Sequence, residues 1–573
     1  MDLRLMLERP TQVECRAVDD VVGPPEPHNG RVVRGGHAAR AQRHLLIPAL
    51  HAVQDASGAV TRGALAYICE RLTVPPAEAY GVATFYALFD VDGRGGSTVH
   101  LCDDIVCAQY GATELAEELE RDGARFERSP CLGQCDRAPA AIFHKPGTGY
   151  TTLAPVDRIT IADPLLSDLP AGLINQDTSD LTLLRRIGKV DPDSIDSYIA
   201  AGGFETLNRA REMGAPWVIS ELKTSNLKGR GGAAFPIGIK WEGVRNAAGA
   251  EKYVIANGDE SEPGTFKDRL VMEGDPFAVV EAMALYAFAT GAGRGYLYVR
   301  GEYPTAERRL RHAVAETRDA ELLGEGFDLE VRRGAGAYIC GEETALFASI
   351  EGHRGEPRQK PPFPVQSGVF GKPTGINNIE TLLAALAVIE MGSETFAAIG
   401  TEQSSGPKLF CVSGAVTRPG VYEVPFGTSL GVLLDLAGGV RDGRNVGAIL
   451  MGGAAGVFTD ASILDLPLTF EDCRAAGTTL GSGSMIFFDD ATDFGQVLRR
   501  IARFFRDESC GQCVPCRIGT VRQEESLERF LAGVGSERAN LDDLARVMTD
   551  ASICGLGQTA ASAVQSAMRL GLV

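Results

Sequence analysis

"ESCGQCVPCRIGT", Glu508–Thr520, places cysteines at every third position, Cys510, Cys513 and Cys516, and a fourth, Cys554, follows in "SICGLGQ". Three thiols this close are not three ordinary core side chains. Three close cysteines with a remote fourth form the pattern of a 4Fe–4S loop, in which three iron corners are held locally. Zinc has no use for the third close cysteine. Gly511 and Pro515 are expected to keep the loop out of helix, so that its amides face the sulfides. A cluster implies electron transfer, and a donor has to be found elsewhere in the chain.

A second group pairs C-x4-C in "LCDDIVCAQYG" (Cys102, Cys107) with C-x3-C in "CLGQCDRAPA" (Cys131, Cys135). Four thiolates from two loops can close on one centre. The wide first spacing echoes 2Fe–2S proteins. Zinc, whose usual spacing is C-x2-C, is the alternative, and no metal is a third. The five remaining cysteines, Cys15, Cys69, Cys340, Cys411 and Cys473, are scattered and read as buried packing thiols.

The chain has 573 residues, 44% of them apolar, enough for about three or four domains. A net charge of −19 argues against nucleic acid and against an anionic membrane surface. No apolar run approaches the roughly 18 residues of a membrane span, and "MDLRLMLERP" does not read as a secretory signal. The expectation is a soluble, cytoplasmic protein, in which the thirteen cysteines form no disulfides.

Residues 1–40 mix Pro, Gly and Arg without periodicity and are expected as a mobile arm. Short helices follow over 41–92, where Leu46, Leu50 and Val53 recur at helical spacing and Pro75-Pro76 suits a helix start. Short strands and helices occupy 93–168, a linker 169–190, and a large α/β region 191–402. "KLFCVSGAVTRPGVYEVPFGTSL" reads as strand, turn, strand and opens a β-rich module over 403–488. In "FGQVLRRIARFF", Val497, Ile501, Phe504 and Phe505 share a helical face, which leads into the cysteine triplet and a helical region 489–573.

In the central region, "LKGRGGAAFPIGIKW" (227–241) offers backbone amides and two cations to a phosphate, or else forms a tight structural turn. "ANGDESEPGTFKDR" is dense in acids and amides. Alone it reads as a solvated loop as readily as a site for ring edges and hydroxyls. "GAGAYICGEETAL" places Glu342 and Glu343 just inside a helix start.

Together with "RGEY", "KPPFP" and "GINNIET", these three stretches resemble the flavin- and NADH-binding subunit of respiratory complex I and its relatives. "ESCGQCVPCRIG" and Cys554 match that family's 4Fe–4S loop, and "CDDIVC", "CLGQCDRAPA" and "AYGVATFY" resemble its small 2Fe–2S subunit, fused here in one chain. "KWEG", "NGDESEPGTFKDR" and "MEGDPFAVVEAM" look most like the β (diaphorase) subunit of cytosolic NAD-dependent formate dehydrogenases. The resemblance implies a thioredoxin-like 2Fe–2S domain after a helical segment, an α/β FMN- and NADH-binding core, a β-grasp-like SLBB module and a helical 4Fe–4S bundle. It places Gly229, Arg230, Gly231 and Lys240 around the FMN phosphate, and Asn257, Asp259, Glu260, Ser261, Tyr338, Gly341, Glu342, Asn377 and Asn378 along FMN. Phe235 and Phe363 would stack on the adenine of NAD, with Glu262, Glu343 and Lys360 nearby.

The implied activity is hydride transfer between NAD(H) and FMN, with one-electron exchange through the clusters. The implied partner is a molybdenum- or tungsten-containing formate dehydrogenase α subunit carrying further iron–sulfur clusters. The 2Fe–2S cluster reads as a side branch or electron store. The alternatives are the diaphorase of a NAD-reducing hydrogenase, a fused complex I-type NADH dehydrogenase module, and a zinc-stabilised scaffold. The sequence departs from the family at Ala234, often Gly, at Gly258, often Ala, and at Gly243, where some relatives have an aromatic.

Overall fold

The computed structural model of the chain describes residues 8–25, 41–91, 95–162 and 174–573. The first helices form where the apolar spacing puts them: Leu46–Ser57, Arg62–Leu72 and Pro76–Ala83. Leu46, Leu50 and Val53 are buried, the Thr61 side chain caps the second helix at Ala64 N, and Pro76 opens the third. Residues 12–22, expected within a mobile arm, are instead a helix, Gln12–Val22, packed on Leu46–Ser57. A capping box between Thr11 and Glu14 starts it, and Val18 is fully buried. The remainder of the expected arm, 1–7 and 26–40, lies outside the described residues.

Strands β1 (Thr98–Cys102), β2 (Glu127–Ser129), β3 (Ala141–Lys145) and β4 (Gly149–Leu153) form a sheet ordered β2-β1-β3-β4, parallel at β1–β2 and antiparallel elsewhere. β1 delivers Cys102 at its carboxyl end.

The central domain is a parallel sheet of β5 (Tyr253–Gly258), β6 (Arg294–Val299), β7 (Asp328–Arg333) and β8 (Thr374–Asn378), ordered β7-β6-β5-β8. The helices Pro276–Thr290 and Ile379–Met391 that pack with it are buried nearly all round, as their apolar sequences require. Glu281, buried within the first, accepts hydrogen bonds from Tyr198 and the amides of Phe204 and Leu207. The sheet grows from β5 through β6 to β7, then the chain returns to the other side of β5 to lay down β8. Such a reversal leaves a crevice beyond the carboxyl ends of the strands, the place where open α/β sheets bind ligands. Those ends are Asn257-Gly258 and Asn377-Asn378, with Asn257 paired to Asn378 and Ala256 to Asn377.

A mixed sheet follows, ordered β10-β9-β13-β11-β12, from β9 (Pro407–Gly414), β10 (Gly420–Pro425), β11 (Val446–Met451), β12 (Val457–Thr459) and β13 (Ser484–Asp489). It has its own core around Phe410, Tyr422, Leu433 and Phe487. The expected linker 169–190 is corrected here for its described part, 174–190, which is strapped to this module. Ile174 bridges to Val421, Asn175 donates to Pro419 O at 3.0 Å, and the buried Glu423 carboxylate accepts from the amides of Thr182, Leu183 and Leu184. A buried carboxylate needs donors, and this turn supplies three. Glu423→Ala leaves those amides without an acceptor and should lower stability by about 2–4 kcal/mol in denaturant unfolding, with Glu423→Gln recovering part of the loss.

The chain ends in helices Phe494–Asp507, Val514–Leu531, Glu537–Ala551, Gly555–Thr559 and Ser562–Leu570. Ile501, Phe504 and Phe505 are buried along the first, with Val497 half-buried beside them. The multidomain α/β and α+β architecture expected from the resemblance is the one that forms.

Candidate functional site

A cleft of about 560 Å³ opens at the β5 and β8 carboxyl ends, a size suited to a small-molecule cofactor. Asn257 and Asn378 form its floor with the turn Asp259–Glu262, and Tyr338, Gly341 and Glu342 form one wall. Asn257 Nδ2 donates to Gly341 O at 2.9 Å and so ties floor to wall, while Asn378 Nδ2 donates to Asp268 Oδ2 at 2.6 Å. Glu342 is the N-cap of helix Glu343–Ile350, accepting from Thr344 N and Ala345 N. Gly231 and Gly232 bring the glycine loop to the opposite side, and a Cβ on Gly231 would stand 3.1 Å from Asn378 Cβ.

Four residues expected at FMN, Gly229, Arg230, Lys240 and Asn377, do not line this cleft. Arg230 is fully buried, its guanidinium 4.5 Å from the Phe426 ring and donating to Ser405 O at 2.7 Å. Lys240 Nζ donates to Ile376 O at 3.1 Å and lies 5.9 Å from the Phe235 ring. Asn377 accepts from Trp241 Nε1 at 3.0 Å, so it positions that indole behind the sheet end. Gly229 donates to Phe235 O at 3.0 Å and closes the base of the loop. Both cations near the loop are thus engaged by backbone carbonyls, Arg230 by Ser405 O and Lys240 by Ile376 O.

The cleft fits FMN by the chemistry it leaves unsatisfied. Asp259 Oδ2 and Ser261 Oγ are buried there without hydrogen-bond partners, as hydroxyl and ring N–H groups of a bound ligand would require. Burial pushes Asp259 well up from the usual carboxylate range. Glu260 is pushed up to about 7 by burial and then by Asp268, and Glu262 to about 7 by burial, against the hydrogen bonds of Tyr338 and Ala455 N. Glu262, expected beside NAD, sits inside this cleft, 2.6 Å from the Tyr338 hydroxyl.

A carboxyl raised in the folded state binds its proton there and loses it in the unfolded chain between roughly pH 4.5 and 7. The cofactor-free protein should thus lose stability as pH rises through that window. Glu262→Gln should flatten the slope of melting temperature against pH, and an unchanged slope would count against a protonated Glu262.

The glycine departures have local causes. Ala234 has φ +51°, a left-handed conformation that favours glycine. Ala234→Gly should leave the melting temperature unchanged or raise it, by up to about 1 kcal/mol of stability. At Gly258 an added Cβ would meet Tyr298 O at 2.7 Å, so an alanine here requires the strand ends to shift.

Sequence reasoning missed a third of the cleft wall. Gly452, Ala455 and Ser482 come from the β-rich module, and Leu556 and Thr559 from the helical domain. The glycines of "MGGAAG" and "GSGS" were the available signal: a Cβ on Gly453 would stand 2.5 Å from Glu262 Cγ.

At the outer rim, Lys360 Nζ bridges Glu342 and Glu343, and Lys240 lies in the field of Glu343 and Lys360. Phe235 and Phe363 expose 49% and 54% of their surface, so each offers solvent-accessible ring to a stacking base.

Cys510, Cys513, Cys516 and Cys554 line one cavity. Gly511 turns the loop at φ +79°, but Pro515 does not keep it out of helix: Cys513 is the N-cap of Val514–Leu531, and Cys516 sits in its first turn. Cys554 caps the helix Gly555–Thr559. Ile339 and Leu556 line both this cavity and the flavin cleft, so two side chains form the wall between them.

Cys102, Cys107, Cys131 and Cys135 are all buried, with the Cys131 and Cys135 sulfurs 3.6 Å apart. Gly133 N donates to Cys131 Sγ at 3.4 Å. This loop is clamped to the central domain: Arg300 donates to Cys131 O and Glu260 O, each at 2.7 Å, and Arg269 pairs with Asp136 at 2.6 Å. Among the described residues, no three His, Cys, Asp or Glu side chains close on a single ion. Two sets of four thiols drawn from two segments each suit the four-cysteine ligation of iron–sulfur clusters. Of the scattered cysteines, Cys69, Cys340, Cys411 and Cys473 are buried as expected, and Cys15 only half so.

Known proteins share this arrangement. The thioredoxin-like 2Fe-2S ferredoxin model matches residues 36–162, the Nuo51 FMN-binding domain 222–387, the SLBB domain 409–453, and the NADH-ubiquinone oxidoreductase-F iron-sulfur binding region 496–570. The NADH-quinone oxidoreductase F 2 subunit of Rhizobium meliloti (strain 1021) is 44% identical over 398 residues, 68% of this chain and 94% of that one. The chain belongs to this family. The NAD-reducing hydrogenase HoxS subunit alpha of Cupriavidus necator is 35% identical over 561 residues, 91% of this chain and 89% of that one. A crystal structure of an NAD+-reducing NiFe hydrogenase in the air-oxidized state superposes with a TM-score of 0.81 at 31% identity, covering 95% of this chain and 94% of that one. The chain is an oxidoreductase subunit of the NADH dehydrogenase type that uses FMN, NAD(H), one 2Fe–2S and one 4Fe–4S cluster. Among the described residues, no helix is long and apolar enough to cross a membrane.

Proposed function

We propose that the chain is the diaphorase subunit of a cytoplasmic NAD-dependent formate dehydrogenase, with formate oxidised on a separate molybdenum- or tungsten-containing subunit. The observation that carries the diaphorase reading is the wall of Ile339 and Leu556 shared by the flavin cleft and the four-cysteine cavity. When bound, FMN supplies the conversion between two-electron hydride exchange with nicotinamide and one-electron exchange with iron–sulfur clusters. The protein's part is binding and orientation. Backbone amides of Gly231 and Gly232 receive the phosphate, while Asn257, Asp259 and Ser261 fix the ring and its hydroxyls. Phe235 and Phe363 hold the adenine, and Glu343 with Lys360 borders the nicotinamide. No side chain is needed as acid or base for a hydride step, and none is assigned one.

Formate as donor is supported by the likeness of "KWEG", "NGDESEPGTFKDR" and "MEGDPFAVVEAM" to formate dehydrogenase β subunits. A second reading, the diaphorase of a NAD-reducing hydrogenase, is favoured by the nearly full-length likeness to the Cupriavidus hydrogenase subunit. The chain purified with its native partner decides between them: formate-dependent NAD+ reduction with molybdenum or tungsten supports the first, hydrogen-dependent reduction with nickel the second. Formate turnover by this chain alone would sink the two-subunit reading.

A further inference from the structure

A second cleft, which shares no residue with the flavin cleft, runs where the 2Fe–2S domain, the β-rich module and the C-terminal helices meet. It has two lobes of about 370 and 300 Å³, joined at Asp103, Arg128, Arg500 and Arg503. Arginines from all three domains converge on it: Arg128, Arg441, and Arg499, Arg500, Arg503 and Arg506 along the helix Phe494–Asp507.

The acids in its wall are already engaged. Asp103 pairs with Arg128 at 3.2 Å and Arg500 at 3.0 Å. Asp493 caps its helix at Gln496 N, and Asp489 accepts from Ala491 N. Asp507 pairs with Arg506, and Glu508 accepts from Tyr338 N. Several cations are left over. Among the described residues Arg499 and Arg441 have no carboxylate within 4.0 Å, and Arg503 has only Glu524, at 3.9 Å. Arg441 lies 4.6 Å from the Tyr110 ring and donates to a backbone carbonyl. Gln109 Nε2, also in this wall, is a buried donor with no acceptor. In a chain of net charge −19, a concave wall in which six guanidinium groups stand among five carboxylates is locally biased toward anions.

We propose that this cleft binds a diphosphate-bearing small molecule, its phosphate oxygens on Arg441, Arg499, Arg503 and the Gln109 amide. Guanidinium forks match phosphate oxygens pairwise, and a multiply charged anion can answer several of them at once. The larger lobe alone falls within the range of small-molecule sites. The ligand would join the 2Fe–2S domain to the helix that leads into the second set of cysteines, a contact now made by Arg500 with Asp103 and Asp104.

Calorimetric titration of the holoprotein with inorganic diphosphate in chloride buffer tests this. One saturable site per chain is expected, weakened at least tenfold by the double variant Arg499→Gln/Arg503→Gln. Both arginines are on an accessible helix, and iron and flavin contents report whether the variant keeps its fold. Gln496→Glu, which adds a carboxylate to the cleft without removing an arginine, should weaken binding in the same direction. A parallel titration with ADP separates the sources. Two ADP per chain, one of them lost in the double variant, indicates a nucleotide in the cleft. A single ADP insensitive to the variant, beside a sensitive diphosphate site, indicates a smaller phosphate. No saturable diphosphate binding, or binding untouched by both variants, overturns the proposal.

Discussion

Replacing Cys513 by alanine should leave about two of about six irons on the chain and abolish electron transfer from NADH to the partner subunit. Bleaching of the flavin absorption by NADH should survive. The two outcomes separate because they depend on different sides of one wall. On the proposed assignment, hydride exchange would need only the cleft beyond β5 and β8 and the rim with Phe363. Onward transfer needs the cavity of Cys510, Cys513, Cys516 and Cys554, which meets that cleft at Ile339 and Leu556. Cys107→Ser is the control, since it should remove the other cluster and leave the partner route open. A Cys513→Ala protein with unchanged iron content that still reduces its partner at the native rate would refute the ligand assignment.

Phe363→Ala should weaken NADH binding by about tenfold to a hundredfold, the loss of one base–aromatic stack of roughly 1–3 kcal/mol, and leave FMN bound. The ring is more than half exposed and does not line the cleft, so its loss should not disturb the floor at Asn257 and Asn378. The rate of flavin bleaching across a range of NADH concentrations reads the NADH affinity, and the flavin absorbance before mixing reads the FMN content. Loss of FMN with NADH affinity intact would move Phe363 from the rim to the cleft. The same rim carries Glu343, only partly offset by Lys360, and NADPH, with one more phosphate, should bind more weakly than NADH.

What could be read from the sequence was local. Cluster ligation needs cysteines at short fixed separations, so both sets of four were visible as spacing. The helix Gln12–Val22 is also written locally, in the capping box Thr11–Glu14, but the Pro, Gly and Arg around it mask its periodicity. Arg230 is not placed by its own segment, because its direction is set by Ser405, 175 residues further on, and by Phe426 beyond that. The same holds for the strap 174–190, fixed by Glu423, and for Gly452, Ala455 and Leu556 in the cleft wall. Their roles arise from packing between domains, and no periodicity within a segment records that.

The turn Tyr338–Gly341 belongs to both compartments at once. Tyr338 and Gly341 face the flavin cleft, and Ile339 closes the cluster cavity as well. It is therefore a partition shared by two sites: a shift of this turn would reshape the flavin cleft and the four-cysteine cavity together. A barrier one side chain thick lets electrons tunnel, yet it insulates only while it is packed. On the NAD site proposed above, nucleotide would come and go at the far edge, where Phe235 and Phe363 stand half in solvent and apart from that turn.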